Sequence, residues 1–271
     1  MRALLGFFLL FAAAAGALPV AAQRAAANRA PIVRLVARDY SFETPLWLPS
    51  GIVRIRLVNR GSEPHYAALY RLASGRTATD FFKWRDTRTP PPVWLAYASG
   101  PAPVAPGDST DITLRIVPGH YMIVCGYPGR DNVQHLDKGM FRIVDTEPVR
   151  PGARSWGGYP TVARKITISE SGFSLDRPVP AGWREIGIEN RGTTVEQALI
   201  VRLPAGVEVA DEQRWFNEGF SSPRRGVPWG GALLVVPGQR YVVTRYFEPG
   251  RYVVLSRLAG KWRSLLFVVG R

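Results

Sequence analysis

Alternating apolar and polar residues along the chain predict a series of short β-strands. Residues 52–59 and 110–117 alternate with a period of two, as expected of strands with one buried face. Residues 121–125 are apolar throughout, which is typical of a strand in the middle of a sandwich. The apolar positions of the first two strands are Val53, Ile55, Leu57, Ile112, Leu114 and Ile116.

Clusters of Pro, Gly, Asn and Asp separate these strands, at residues 49–51, 59–61, 106–108 and 118–119. Such residues favour turns. Two segments depart from the strand pattern, residues 79–85 and 209–216, and each predicts one short helix with a buried tryptophan, Trp84 or Trp215.

The two halves of the chain repeat one another at a constant offset of 131 residues. The matches run without a gap over roughly 80 residues, which chance does not explain. We therefore predict an all-β chain of two tandem β-sandwich domains, residues 31–147 and 160–271, joined by the Pro/Gly-rich linker 148–159. The matching segments include Asn59-Arg60-Gly61 with Asn190-Arg191-Gly192, Trp84 with Trp215, and Pro118-Gly119-x-Tyr121 with Pro249-Gly250-x-Tyr252.

The beginning of the chain predicts an export signal over residues 1–22. Arg2 supplies a positive charge, an apolar run follows from Leu4 to Ala15 apart from Gly6, and small residues precede Gln23. The apolar run is shorter than a membrane span needs, which favours cleavage over a retained anchor. No second apolar run of about 18 residues follows. We expect a periplasmic or secreted protein with no membrane span after cleavage.

The chain carries a net charge of +14, and 31 of its 35 basic residues are arginine. The arginines are scattered, without a nucleic-acid-binding motif. A basic surface favours an acidic protein or an anionic membrane as partner; an arginine-rich composition with no specific partner is the alternative. The oligomeric state is open.

The scarce chemistry-bearing residues limit which sites are possible. There is a single cysteine, Cys125, and there are three histidines, His65, His120 and His135. One cysteine excludes internal disulfides and Cys-rich metal sites. His120 lies in a Pro-Gly turn, where we expect an exposed ring without a functional role.

Three segments of the first half resemble the cupredoxin (blue-copper) family. They read Asn59-Arg60-Gly61 followed by His65, then Pro118-Gly119-His120-Tyr121 leading to Cys125, then His135, four residues and Met140. The resemblance implies a Greek-key β-sandwich with one type 1 copper ion on His65, Cys125 and His135, and with Met140 as axial ligand. A thiolate, two imidazoles and a thioether are a donor set that selects copper.

Two features depart from the family pattern. Tyr66 follows the first histidine where many members have asparagine, so the usual brace for the site is missing or replaced. The spacing Cys-x9-His is long, and residues 126–132 must loop out for His135 to return.

The second half keeps the fold positions and loses the ligand types. His65 corresponds to Glu196, Cys125 to Ser256 and Met140 to Leu265, and the segment that carries His135 is deleted. This joint loss indicates that the four residues serve one purpose in the first half.

The resemblance predicts an exported electron carrier. Electrons would pass through an exposed edge of His135, among apolar residues that dock an acidic redox partner. Enzymes of the family need further copper on several more histidines than this chain has, so we expect no catalytic activity. Two alternatives stay open: a metal-free tandem β-sandwich that binds or supports other proteins, and a periplasmic copper-handling protein with the same ligands.

Overall fold

The computed structural model describes residues 30–87, 89–147, 158–258 and 261–270. The export signal predicted for residues 1–22 and most of the predicted linker 148–159 lie outside the described residues. Among the residues described, no helix has the length and apolar character needed to cross a bilayer.

The described residues of the first half form nine strands and one helix. They are β1 (Ile32–Arg38), β2 (Ser41–Glu43), β3 (Trp47–Leu48), β4 (Gly51–Asn59), β5 (Ala68–Leu72), α1 (Ala78–Thr87), β6 (Leu95–Tyr97), β7 (Ser109–Ile116), β8 (His120–Val124) and β9 (Phe141–Thr146).

In the second half, the part that the structure describes forms eight strands and one helix. They are β10 (Arg164–Ser169), β11 (Gly172–Leu175), β12 (Gly182–Asn190), β13 (Glu196–Leu203), α2 (Val209–Asn217), β14 (Val227–Val235), β15 (Arg240–Phe247), β16 (Gly250–Leu258) and β17 (Lys261–Val269). The predicted all-β fold with one short helix in each half is confirmed.

The strands form three sheets. A five-stranded sheet, in the order β3-β9-β8-β5-β6, belongs to the first half, and a four-stranded sheet, β14-β13-β16-β17, belongs to the second. The third sheet has eight strands in the order β11-β10-β12-β15-β7-β4-β1-β2 and runs through both halves. The predicted alternation in β4 and β7 holds, since Val53, Ile55, Leu57, Ile112, Leu114 and Ile116 are all buried.

The halves meet along two antiparallel contacts in which corresponding residues face each other. Ile112 of β7 pairs with Val243 of β15, its counterpart 131 residues later. Pro101 pairs in the same way with Ala232. Around that second contact, the amide of Ala102 donates to the carbonyl of Gly231 at 3.2 Å, and the amide of Leu233 donates to Gly100 at 2.9 Å. The duplicated halves are therefore related by an approximate twofold rotation.

The prediction of a buried tryptophan in each helix is right for Trp215 and wrong for Trp84. Trp215 is buried, whereas Trp84 is half-buried and its indole N–H donates to backbone carbonyls at Thr89 and Pro90. In α1 the buried residue is Phe81, whose ring lies 5.0 Å from that of Tyr70. The indole N–H of Trp84 needs a hydrogen-bond acceptor, and the backbone carbonyls just after the helix provide it.

Candidate metal centre

Cys125 lies directly after β8, the central strand of the five-stranded sheet. Its amide donates to the carbonyl of Met140 at 3.1 Å, which ties the strand end to the beginning of β9. The Tyr66 amide lies 3.5 Å from Sγ and donates to it. The backbone thus fixes the sulfur on the core side of the sandwich.

His65 is held by the turn that follows β4. The side-chain amide of Asn59 donates to the carbonyls of Glu63 and Val104, at 2.8 and 3.0 Å. The backbone of His65 also pairs with that of Val104. The brace expected from an asparagine after the histidine is therefore replaced: Asn59 holds the turn, and the Tyr66 amide bonds the sulfur.

Gly61 in the same turn has a steric role. A Cβ at this position would overlap Asp39 Oδ1 and the Nε2 of His65. The glycine of the Asn-x-Gly motif therefore leaves room for a carboxylate and an imidazole to meet over its backbone.

His135 returns to the site because the long Cys–His segment folds on itself as a small hairpin. Pro128 pairs with Gln134, and the amide of His135 donates to the carbonyl of Tyr127 at 2.9 Å. The predicted loop is present, and ordered backbone pairing accommodates its length.

The side chains of His65, Cys125 and His135 meet at one place. Cys125 Sγ lies 3.8 Å from His65 Nδ1 and 3.6 Å from His135 Nδ1, and the two Nδ1 atoms are 2.9 Å apart. All three side chains have 0% exposed surface. Within the described part of the chain, this is the one cluster of at least three His, Cys, Asp or Glu side chains with metal-binding spacing.

Two carboxylates hold the far side of the imidazoles. His65 Nε2 lies 2.7 Å from Asp39 Oδ1, and His135 Nε2 lies 3.0 Å from Glu63 Oε2. Asp39 follows β1, and Glu63 lies two residues before His65. Neither residue is part of the motif that identified the ligands; the one local signal is an acidic residue in the turn that carries His65.

The environment keeps both carboxylates ionised. Burial alone would raise the pKa of Asp39, but hydrogen bonds from Ser62 and His65 outweigh it and lower the pKa to about 2. Burial likewise opposes the ionisation of Glu63, and donors led by the Arg130 amide lower its pKa on balance. An ionised carboxylate only accepts hydrogen bonds, so each Nε2 atom must be the donor.

Burial favours the neutral form of both imidazoles. Burial lowers the pKa of His65 and lowers that of His135 to about 4, where the repulsion that two protonated rings would have adds to the effect. A neutral imidazole with its proton on Nε2 has a lone pair on Nδ1. Two such lone pairs face each other across 2.9 Å beside the sulfur.

The donor set fits a soft, thiophilic metal ion. Two facing lone pairs repel each other, and burial raises the pKa of the Cys125 thiol to about 12 in the absence of a positive charge. A bound cation removes both penalties, because it accepts the lone pairs and stabilises the thiolate. One thiolate and two imidazoles suit copper or zinc and exclude Mg²⁺ and Ca²⁺.

Met140 lies in the same region of the core. It is fully buried in the cluster that contains Cys125, and its amide donates to the carbonyl of His135 at 2.9 Å. Its assignment as axial ligand stays a prediction.

The remaining histidine expectations have different outcomes. The expected exposed edge of His135 is wrong: the ring is buried because Tyr40 and Tyr127 pack over it, with ring centroids at 4.9 and 6.0 Å. His120 lies apart from the cluster and is partly exposed, with Nδ1 2.7 Å from Asp145 Oδ1.

The second half has an ion pair at the corresponding place. The carboxylate of Glu196 accepts close hydrogen bonds from Ser256 and Arg263, and of these residues Glu196 and Ser256 stand at the positions of His65 and Cys125. The amide of Gln197 donates to Ser256 Oγ at 3.2 Å, as that of Tyr66 does to the sulfur of Cys125. In this half the guanidinium of Arg263 therefore provides the positive charge beside the carboxylate of Glu196.

No protein-family model and no curated protein matches the chain. Solved structures do. Auracyanin from Roseiflexus castenholzii is 18% identical, over 44% of this chain and 98% of that protein, with a TM-score of 0.32. A multicopper oxidase is 16% identical over 89% of both chains, with a TM-score of 0.26.

A copper nitrite reductase from Nitrosomonas europaea is 13% identical, over 90% of this chain and 98% of that one, with a TM-score of 0.26. The chain is thus structurally similar to a cupredoxin over one half and to larger copper proteins over most of its length, a likeness that concerns the fold.

Proposed function

We propose that this protein is an exported one-electron carrier that binds one copper ion on His65, Cys125 and His135, with Met140 as axial ligand. The observation that carries the proposal is that Cys125 Sγ and the Nδ1 atoms of His65 and His135 meet at 3.8, 3.6 and 2.9 Å, with a carboxylate oxygen beside each Nε2. When bound, copper supplies a Cu(II)/Cu(I) couple.

The residues around the site favour electron transfer over copper delivery. All three donor side chains are fully buried, and backbone hydrogen bonds fix the segments that carry them. A site held in this way changes little between two oxidation states. It also offers no exposed ligand to an incoming copper acceptor, which disfavours a role in copper handling.

We also propose that the protein acts without catalysis and outside the cytoplasm. Within the described residues there is one metal-binding cluster, and its donors leave no exposed face on which a substrate could bind. The export signal read from residues 1–22 supports the location.

The test is to add Cu(II) to the purified protein and record its visible spectrum. We expect one equivalent to bind and to give an intense band near 600 nm from thiolate-to-copper charge transfer. The Cys125→Ser variant, which introduces the residue found at position 256, should lack the band and keep its fold by circular dichroism. Wild-type protein with a reduced thiol and no band would overturn the proposal.

A further inference from the structure

The buried ligands raise the question of how electrons reach the site. Two aromatic rings lie between His135 and solvent, Tyr40 and Tyr127. The Tyr40 side has a mixture of charges, with Lys138 Nζ 4.4 Å from the ring centroid and bonded to Asp131. The Tyr127 side faces a groove between the two halves of the molecule.

This groove has a volume of about 530 Å³ and is lined by residues of both halves. The first half contributes Tyr127 and Arg130, and the second contributes Trp215, Phe220 and Arg224. The floor is aromatic, and its Tyr127 ring packs against His135, with ring centroids 6.0 Å apart.

The groove offers positive charge to a partner. Its only carboxylate among the lining residues is Glu63, which is buried and bonded to His135. The two cations are Arg224, which bonds to Glu212, and Arg130, whose side chain is 81% exposed and whose Nε lies 3.9 Å from Glu63 Oε1. With a net charge of +14 on the chain, this surface complements an acidic protein.

Aromatic contacts connect the groove to the ligands. The rings of Tyr127 and Trp215 lie 5.9 Å apart at 33°, and the guanidinium of Arg224 lies 4.7 Å over the Trp215 ring. Arg224 also donates to the Tyr127 hydroxyl at 3.3 Å, which fixes the two rings relative to each other. Tyr127 is two residues from Cys125 in the chain.

We infer that an acidic one-electron donor protein docks in this groove and that its electron reaches the site through Trp215 and Tyr127. The inference rests on the proposed function, because the electron needs a metal to accept it. The donor is oxidised by one electron and Cu(II) is reduced to Cu(I); no bond changes, and the rings act as a tunnelling bridge. The second half, which lacks ligands, thereby supplies part of the docking surface.

The docking surface can be tested without copper. We would titrate the metal-free protein with oxidised plant-type ferredoxin, used as an acidic protein probe, and follow the heat of binding. Arg130→Gln should weaken binding about three- to tenfold at low ionic strength and have no effect at 1 M salt. Arg177→Gln removes the same charge from an exposed position outside the groove and should leave binding unchanged. Equal effects of the two variants would overturn the docking site.

The route is tested with the copper-loaded protein and reduced ferredoxin, which is a strong electron donor. Trp215→Leu should slow the bleaching of the 600 nm band severalfold at saturating donor, where a change in docking affinity does not limit the rate. Trp84→Leu alters the corresponding helix of the first half and should keep the wild-type rate. Equal rates in the two variants would overturn the route, whereas a wild-type protein without the band would overturn the proposed function and leave the docking result standing.

Discussion

Asp39 and Glu63 determine which nitrogen of each histidine faces the cluster. Because each carboxylate accepts the Nε2 proton, Nδ1 is left as the donor atom toward Cys125. The carboxylates also place two negative charges next to a site that already holds a thiolate when metal is bound. With copper bound, this charge would stabilise Cu(II) relative to Cu(I) and hold the reduction potential down.

Replacing one of these carboxylates should raise the reduction potential. Asp39→Asn keeps an oxygen that can accept the His65 proton and removes the charge. We expect Cu(II) affinity to fall about tenfold relative to Cu(I), a rise of about 60 mV for a one-electron couple. A redox titration of the 600 nm band measures this shift.

The matched control uses the other histidine–aspartate pair of the first half. Asp145 lies 2.7 Å from His120, away from the cluster, and Asp145→Asn should leave the potential unchanged. An unchanged potential in Asp39→Asn would contradict a role for this carboxylate in tuning the site.

The ligands could be predicted from the sequence and the carboxylates could not, for a physical reason. His65 and Cys125 lie 60 residues apart, and the resemblance to a family motif, in which they and His135 stand in a fixed order, is what placed them together. Asp39 reaches His65 across 26 residues, through the pairing of β1 with β4. Only the register of those two strands brings the carboxylate to the ring.

At the level of secondary structure, the turn between β4 and His65 is the element that shapes the site. Asn59 and Gly61 recur as Asn190 and Gly192 in the second half, where Asn190 makes the equivalent bonds to Thr194 and Val235. The turn therefore belongs to the fold, and in the first half its tight geometry lets Asp39 and His65 meet over Gly61.

Substituting the turn glycine should separate these two roles. Gly61→Ala forces a methyl group against Asp39 and His65, so we expect copper affinity to fall about 10- to 100-fold, as for lost support of a ligand. In Gly192→Ala the new methyl meets the Glu170 carboxylate at 3.1 Å, with no imidazole beside it. Competition with a copper chelator measures both; comparable copper affinity in the two variants would contradict this account.

The strands themselves were predictable where one face is buried. Predicted residues 52–59 correspond to β4 (Gly51–Asn59), and 110–117 to β7 (Ser109–Ile116). The alternation misleads at Asp111 and Thr113, which are polar and nevertheless buried. Asp111 binds Arg54 and Arg56. Asp111 and Thr113 also pair with β15 of the other half, a contact that sequence periodicity does not encode.

At the scale of the whole molecule, the duplication predicts two domains, and the structure joins them. The eight-stranded sheet is continuous through β7 and β15. Arg245 of β15 is buried, pairs with Asp108 of the first half at close range, and lies 4.3 Å over the ring of Trp229. Breaking the halves apart would expose this cation and two strand edges, so each half stabilises the other.

We therefore expect the two halves to unfold as one unit. Ile55 and Ile186 are corresponding residues, both buried in the core of their own half. Ile55→Ala and Ile186→Ala should each lower the free energy of unfolding by about 2–5 kcal/mol. Calorimetry of the metal-free protein should show one transition in both variants, at a lower temperature than in wild type.

The reactivity of the lone cysteine reports whether the first half has unfolded. Cys125 is fully buried in the first half, so its reaction with a thiol reagent follows the unfolding of that half. Because the shared sheet couples the halves, Ile186→Ala, although located in the second half, should speed labelling of Cys125 about as much as Ile55→Ala does. Labelling at the wild-type rate in Ile186→Ala, together with a separate low-temperature transition, would mean that the halves unfold independently and that the sheet does not transmit stability between them.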